Sequence, residues 1–134
     1  GLVYGMGEDI LFPLFKQALE QKEPLKIYGR GNNYIPTIHV DDVAQLVFDI
    51  AFSARTGFHY AVDYSTNTQR EIITALSQTI GNGKILELPL EDALLDPNYD
   101  IFTADIKIEA NSLPKLSTWK YAEGLVTNLG AVVG

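Results

Sequence analysis

Short apolar segments alternate along the chain with stretches whose apolar residues recur at helical spacing, and this alternation constrains the fold more than any other feature. The longer stretches predict helices that each bury one face. Strands that alternate with such helices are typical of an α/β fold, in which helices cover a small sheet. We therefore predict a single α/β unit over 1–134, with extended segments at 2–4, 25–28, 34–38, 58–62 and 84–88.

Capping residues mark the ends of the predicted helices. Asp9 is the expected N-cap of the first helix, and a second helix is expected from Asp41 to about Phe52. Thr68 and Glu71 fit a capping box that opens a third helix, which the glycines of 81–83 end in a left-handed conformation. Across all the predicted helices, the spacing places the following residues in the core: Leu11, Leu14, Phe15, Ala18, Leu19, Val43, Leu46, Val47, Ile50, Ala51, Ile72, Ile73, Leu76, Ile80, Trp119, Leu125, Leu129 and Val132.

The sequence after residue 89 is less regular. Residues 90–95 fit a helical turn, and a fourth helix is expected over 117–132. Ile106 and Ile108 alternate with charged residues, and this pattern fits either a strand or a helix.

The composition excludes several classes of partner. A formal net charge of −7 argues against nucleic acid and anionic membranes, because both require a basic surface that displaces counterions. The chain has no cysteine, which excludes disulfides and thiolate chemistry and suits the cytoplasm. Its apolar stretches are far shorter than the roughly 20 residues of a membrane-spanning helix.

The chain contains no complete phosphate-binding loop. The segment 81–84 (Gly-Asn-Gly-Lys) resembles part of a Walker-type loop, but Ile85 replaces the hydroxyl residue and a helix precedes the segment instead of following it. The dinucleotide pattern Gly-x-Gly-x-x-Gly also fails, since Tyr34 occupies its last position after Gly29 and Gly31. We therefore predict no cofactor-binding residues in this chain.

Residues that carry catalysis or bind metals are not grouped in the sequence. The two histidines, His39 and His59, lie on different elements, and no Tyr-x-x-x-Lys pattern occurs. Asp41 and Asp42 suit the first turn of a helix, where carboxylates stabilise the amide ends; a hard cation is the alternative. We predict neither a catalytic residue nor a metal site.

Two blocks of sequence are similar to the extended short-chain dehydrogenases, the family of NAD-dependent epimerases and dehydratases. Residues 2–7 (Leu-Val-Tyr-Gly-Met-Gly) resemble the segment after the sixth strand of the family's Rossmann sheet. Residues 29–31 and 38–44 resemble the family's later Gly-Asp-Gly and Ile-His-Val-Asp-Asp-Val-Ala segments. The resemblance implies the substrate-side, C-terminal half of a Rossmann-like domain, whose nicotinamide fingerprint and catalytic residues lie upstream. Because the chain opens at Gly1 as if within a strand, we interpret it as a fragment.

The resemblance implies five substrate-binding positions: Tyr4, Met6, Asn33, Ile35 and His39. Ile35 stands where the family has an arginine that grips the phosphate of a nucleotide sugar, and isoleucine cannot make that bidentate contact. A sugar nucleotide is therefore not the expected substrate. Each position also has a structural alternative, with Tyr4 in the core, Asn33 in a turn and His39 hydrogen-bonded at a helix start.

Other segments, at 4–9, 34–40, 60–63 and 81–85, are more similar to the amino-terminal dehydrogenase-like domain of long ciliary adenylate kinases of the isoform-seven type. In those proteins a true adenylate kinase domain follows. The resemblance implies a parent protein that uses ATP and AMP with Mg²⁺ in the cytoplasm, and in the cilium or flagellum. Within that parent protein, the role implied for this segment is positioning, binding or regulation.

Three hypotheses for function follow. The first is a non-catalytic accessory segment of a multidomain adenylate kinase, whose partner is the remainder of its own polypeptide. The second is the substrate-binding lobe of an NAD(P)-dependent epimerase, dehydratase or reductase, and the third is a protein-interaction module that reuses the fold. An exposed strand at 2–4 also predicts that the chain forms a homodimer.

Overall fold

The computed structural model describes residues 1–5, 11–20, 23–53, 56–97, 103–109 and 119–133. The elements follow in the order β1 (Leu2–Tyr4), α1 (Phe12–Glu20), β2 (Leu25–Tyr28), β3 (Thr37–His39), α2 (Val40–Phe52), α3 (Gln69–Ile80), β4 (Ile85–Leu88), a 3₁₀ helix (Leu90–Leu95) and α4 (Leu125–Val133). None of the helices in these ranges is long and apolar enough to cross a bilayer.

The strands form two parallel pairs. In the first pair β1 lies beside β3, with Leu2 opposite Thr37 and Tyr4 opposite His39. In the second pair β2 lies beside β4. Parallel partners require a crossover between them, and the helices of this chain supply it while covering the sheets. The predicted α/β class, a small parallel sheet flanked by helices, is confirmed.

The helices bury apolar faces in two clusters. The larger cluster joins residues of β1, α1, β2, α3 and α4, and the smaller one lies between α2 and the turn that precedes α4. The capping box at Thr68 is present, since the Thr68 side chain accepts from the Glu71 N–H and the Glu71 side chain accepts from the Thr68 N–H. At the other end of α3 the left-handed residue is Gly83, with φ +79°, whereas Gly81 has φ −103°.

Three residues predicted in the core are exposed. Leu19 and Val47 are 63% and 61% exposed, and Ala51 is also exposed. They lie at the margins of the helical faces that the spacing defined. The helices α1 and α2 therefore each bury a narrower stripe than predicted, centred in α2 on Leu46, whereas α3 buries its predicted residues Ile72, Ile73 and Leu76.

Three predicted elements differ in the structure. The segment 58–62 forms no strand. Among the described residues it meets β3 just after residue 62, where the Asp63 N–H donates to Thr37 O over 2.8 Å. A single hydrogen bond does not make a ladder. The last helix begins at Leu125, after a turn, instead of at 117. Residues 104–109 are neither strand nor helix. The expected cap Asp9 and the site residue Met6 lie outside the described residues.

Candidate functional site

Tyr4 and His39 meet at the carboxyl ends of two neighbouring parallel strands. They are register partners, their rings lie edge to face with centroids 5.2 Å apart, and both side chains are buried. In open α/β sheets ligands bind beyond this end of the strands. The parallel register therefore brings two of the five predicted substrate-binding residues together.

The imidazole of His39 is the N-cap of α2. Its Nδ1 accepts from the Asp41 N–H over 3.1 Å, so this nitrogen carries no proton and the Asp41 carboxylate 3.9 Å away forms no ion pair with it. The ring stacks on Tyr121 with centroids 3.8 Å apart. Gly5 has φ +113°, and a Cβ there would lie 2.5 Å from His39 Nε2. The structural alternative for His39, a hydrogen bond at a helix start, is confirmed.

The Tyr4 hydroxyl is a buried donor. The side chain is fully enclosed, and no described residue bonds its Oη. Burial, with Asp63 and Asp42 nearby, raises the pKa of Tyr4, so the hydroxyl keeps its proton at neutral pH. It can donate a hydrogen bond but cannot serve as a base. Its place in the larger core cluster confirms the structural alternative for Tyr4.

Asp42 joins α2 to the turn before α4. It lies in the first turn of the helix as predicted, but it is buried, and its two oxygens accept from the N–H groups of Lys120 and Tyr121 at 3.1 Å each. The expectation that it stabilises the amide ends of its own helix is corrected accordingly. Burial raises the pKa of Asp42, and the two hydrogen bonds partly oppose this rise.

Asp63 occupies a second buried carboxylate site, next to β3. It accepts from Thr37 Oγ1 at 2.7 Å, from the Ser65 N–H at 2.9 Å and from Ser65 Oγ at 2.5 Å. Burial raises the pKa of Asp63 although these bonds oppose the rise. The carboxylate is thus committed to internal partners.

The burial of Asp63 predicts a stability difference between the wild type and Asp63→Asn that depends on pH. The pKa of Asp63 in the fold lies above the ordinary value of 3.8, so the folded chain binds this proton more readily than the unfolded chain. The stabilisation is complete below the ordinary pKa and is lost as the pH rises through the folded pKa. Relative to the non-ionising variant, the free energy of unfolding of the wild type should fall as the pH is raised across this window. Urea unfolding of both proteins at a series of pH values measures these free energies. A wild type that becomes more stable relative to Asp63→Asn as the pH rises would contradict the prediction.

Asn33 and Ile35 precede β3, whereas His39 lies at the end of that strand and Tyr4 at the end of β1. Asn33 Nδ2 donates to Ala104 O over 2.8 Å, and its Oδ1 accepts from Gln69 Nε2 over 3.0 Å, so the side chain holds parts of the fold together. Ile35 is buried in the larger cluster and borders an apolar groove of about 300 Å³. The groove is lined by Gly1, Leu2, Tyr34, Ile35, Pro36, Ala104, Ile106 and Ile108. None of these described lining side chains carries a cation that could grip a phosphate.

Sequence reasoning missed Tyr121 and Gln69, although both contact predicted site residues. Tyr121 stacks on His39, and Gln69 bonds Asn33. Neither belongs to a local motif for such a role, and the contacts join residues far apart in the chain. Within the described residues no group of three or more His, Asp or Glu side chains is arranged to hold a metal ion.

Comparison with known proteins gives two relatives that share one name. The chain is 30% identical to adenylate kinase 7 of Macaca fascicularis over 142 residues, which is 99% of the chain and 27% of that protein. It is 31% identical to adenylate kinase 7 of Mus musculus over 143 residues, 99% of the chain and 23% of that protein. The chain is therefore homologous to a part of adenylate kinase 7. It spans about a quarter of the length of these curated relatives. No family model matches it.

The predicted resemblance to adenylate kinases of the isoform-seven type is confirmed by these relatives. The wider resemblance to short-chain dehydrogenases stays a prediction.

Proposed function

We propose that the chain is a non-catalytic, dehydrogenase-like accessory segment of a multidomain adenylate kinase. One observation carries the proposal: the similarity covers 99% of the chain and only about a quarter of adenylate kinase 7. The name adenylate kinase describes the whole relative, and this chain has no Walker-type loop for ATP. ATP and AMP with Mg²⁺ therefore bind another part of the polypeptide, and this segment positions or regulates that part.

The geometry around Tyr4 and His39 supports a role in binding or positioning. Proton transfer requires a group whose pKa suits the task, and the raised pKa of Tyr4 keeps its hydroxyl protonated, so that it cannot accept a proton at neutral pH. The Nδ1 atom of His39 is occupied by the N–H that it caps. The described side chains that line the groove beside Ile35 offer apolar contacts and no cation for a phosphate.

The location of Tyr4 and His39 favours one alternative function. Side chains at the carboxyl ends of parallel strands suit the substrate-binding lobe of an NAD(P)-dependent epimerase, dehydratase or reductase. The coding sequence on either side of this segment distinguishes the two proposals. A Walker-type loop downstream supports the kinase, whereas Gly-x-x-Gly-x-x-Gly with Tyr-x-x-x-Lys upstream supports the dehydrogenase.

The proposal also covers partner and location. The partner is the remainder of the same polypeptide, in the cytoplasm, and the resemblance noted in the sequence favours the cilium or flagellum. The formal charge of −7 supports the prediction that neither nucleic acid nor an anionic membrane is the partner.

The purified chain should transfer no phosphoryl group between ATP and AMP in the presence of Mg²⁺, and should reduce no NAD⁺ or NADP⁺. ADP formation is measured in a coupled assay with a known adenylate kinase as the positive control. In mouse adenylate kinase 7, deletion of the matching stretch should leave ATP–AMP exchange measurable. ADP production that scales with the concentration of the purified chain, and survives a further chromatographic step, would overturn the proposal.

A further inference from the structure

The turn after α3 contains a pair of residues that can react with each other. Asn82 is the one asparagine in the sequence that a glycine follows, and Asn82 and Gly83 are both exposed. Because glycine has no side chain, its backbone nitrogen can approach the side-chain carboxamide of the preceding asparagine closely. That nitrogen can attack the Cγ atom of Asn82 and displace ammonia, and this reaction is deamidation.

The fold holds the attacking nitrogen in a hydrogen bond. The Gly83 N–H donates to Ser77 O over 3.0 Å, a bond across six positions of the kind that ends many helices. Solvent can remove the proton from the Gly83 nitrogen only after this bond breaks. A nitrogen that lost its proton in the closed turn would face a carbonyl oxygen that repels its charge. The closed turn therefore withholds the nitrogen from the reaction.

The same turn keeps the carboxamide of Asn82 beside that nitrogen. Asn82 Oδ1 accepts from the Lys84 N–H over 2.9 Å, and the ring that this bond closes contains both the Gly83 nitrogen and the Asn82 Cγ. The Lys84 N–H also draws electron density from the carboxamide, which makes Cγ more electrophilic. The electrophile is thus in place while the nucleophile is blocked.

Ser77 fastens the turn to α3 at two points. Its side chain is 1% exposed, and its Oγ donates to Lys84 O over 2.7 Å. Its carbonyl is the group that accepts from the Gly83 N–H. Full opening of the turn therefore requires both bonds to break.

We propose that Asn82 is a latent deamidation site, which the bond from Gly83 to Ser77 keeps unreacted in the folded chain and which opening of the turn releases. Hydroxide takes the Gly83 N–H proton, and the nitrogen then forms a bond to Asn82 Cγ. The Cγ–Nδ2 bond breaks, and ammonia leaves with a proton from water, which restores the hydroxide. Water then opens the succinimide ring to give aspartate or isoaspartate, so the net reaction consumes water and releases ammonia.

The product would weaken the start of β4. Isoaspartate lengthens the backbone between α3 and Ile85, the residue that pairs with Leu25 of β2. The new carboxylate also lies at the C-terminal end of α3, where the helix dipole disfavours negative charge. We therefore expect the deamidated chain to unfold at a lower urea concentration than the unmodified chain. The proposal does not depend on the kinase-related function, because the reaction needs only this turn and water.

Peptide mapping by mass spectrometry, with isoaspartate labelled by an isoaspartyl methyltransferase, measures the conversion of Asn82 at neutral pH. We expect the folded chain to convert at least about tenfold more slowly than the same chain unfolded in guanidinium chloride, because local opening limits the reaction. Amide hydrogen exchange at Gly83 requires the same bond to break. Exchange at Gly83 and conversion of Asn82 should therefore rise together.

Two variants separate the turn from the rest of the fold. Ser77→Ala removes the Oγ bond and leaves the carbonyl in place, so the turn should open more often. We expect faster conversion of Asn82 in this variant, with exchange at Gly83 accelerated by the same factor. Ser53→Ala is the matched control, since it removes a hydroxyl from the C-terminal end of α2 and should leave both rates unchanged.

Each outcome decides the question. Equal conversion of Asn82 in the folded and the unfolded wild type overturns the proposal. A folded Ser77→Ala variant in which exchange at Gly83 accelerates while conversion of Asn82 does not also overturns it. If Ser77→Ala is unfolded by circular dichroism, or changes neither rate, the wild type is measured in guanidinium chloride below its unfolding transition. Conversion of Asn82 that does not follow exchange at Gly83 in that series rejects the turn as the control of the reaction.

Discussion

Replacing Gln69 with leucine is expected to lower the free energy of unfolding by about 3 kcal/mol. The reason is that the glutamine side chain bonds the backbone of Tyr28 in β2, as a neighbouring strand would. Gln69 is fully buried at the first turn of α3. Its Oε1 accepts from the Tyr28 N–H over 2.8 Å, while Nε2 lies 3.4 Å from Tyr28 O and 3.0 Å from Asn33 Oδ1. Leucine fills a similar volume, so the loss of hydrogen bonds dominates the expected change.

The cost arises from groups that cannot reach water. Tyr28 is buried at the end of β2, so its N–H would be left without an acceptor. A buried donor in that state costs about 1–3 kcal/mol, and the weaker contacts of Nε2 add to this cost. Asn33 would also lose the bond that fixes its side chain toward Ala104.

Urea unfolding followed by circular dichroism measures the effect of Gln69→Leu. The matched control is Gln78→Leu, which makes the same change at an exposed position of the same helix and should alter the free energy of unfolding by less than about 0.5 kcal/mol. Similar values for the two variants would show that the Gln69 amide does not support β2.

The elements that the sequence predicted correctly depend on residues close together in the chain. The capping box joins Thr68 and Glu71, three positions apart, and the apolar spacing of α3 identifies its buried face. The contacts that sequence reasoning missed span much larger separations. Gln69 and Tyr28 lie 41 positions apart, and Asp42 and Tyr121 lie 79 apart. No local pattern encodes such pairs, because they form only when the sheets and helices assemble.

The candidate site shows the same division. The family resemblance named Tyr4 and His39, and the parallel register of β1 and β3 brings them together. Asn33 and Ile35 were named with them, yet one bonds Gln69 and the other borders the apolar groove. The resemblance predicts which positions correspond to the family's site. It does not predict the chemistry of the side chains that surround those positions in this chain.

Replacing Asp42 with alanine is expected to detach the turn at 119–124 from α2 and to lower the free energy of unfolding by about 2–3 kcal/mol. The carboxylate accepts from the N–H groups of Lys120 and Tyr121, and each bond to a charged acceptor is worth more than a neutral one. Burial of the carboxylate opposes this gain, as the raised pKa of Asp42 shows. The expected loss of stability is therefore smaller than the sum of two separate hydrogen bonds to a charged acceptor.

Two local observations distinguish detachment of the turn from general destabilisation. The single tryptophan, Trp119, lies in this turn and is only 8% exposed, so its fluorescence should shift to longer wavelength in native buffer when Asp42→Ala frees the turn. Amide hydrogen exchange at Lys120 and Tyr121 should accelerate more than exchange in α3, because those two amides lose their acceptor. Asp41→Ala removes an exposed carboxylate from the same helical turn, should cost about 0.5 kcal/mol and should leave both signals unchanged. Unchanged tryptophan emission in a folded Asp42→Ala variant would mean that apolar packing of Trp119 and Ala122 against Leu46 suffices to hold the turn.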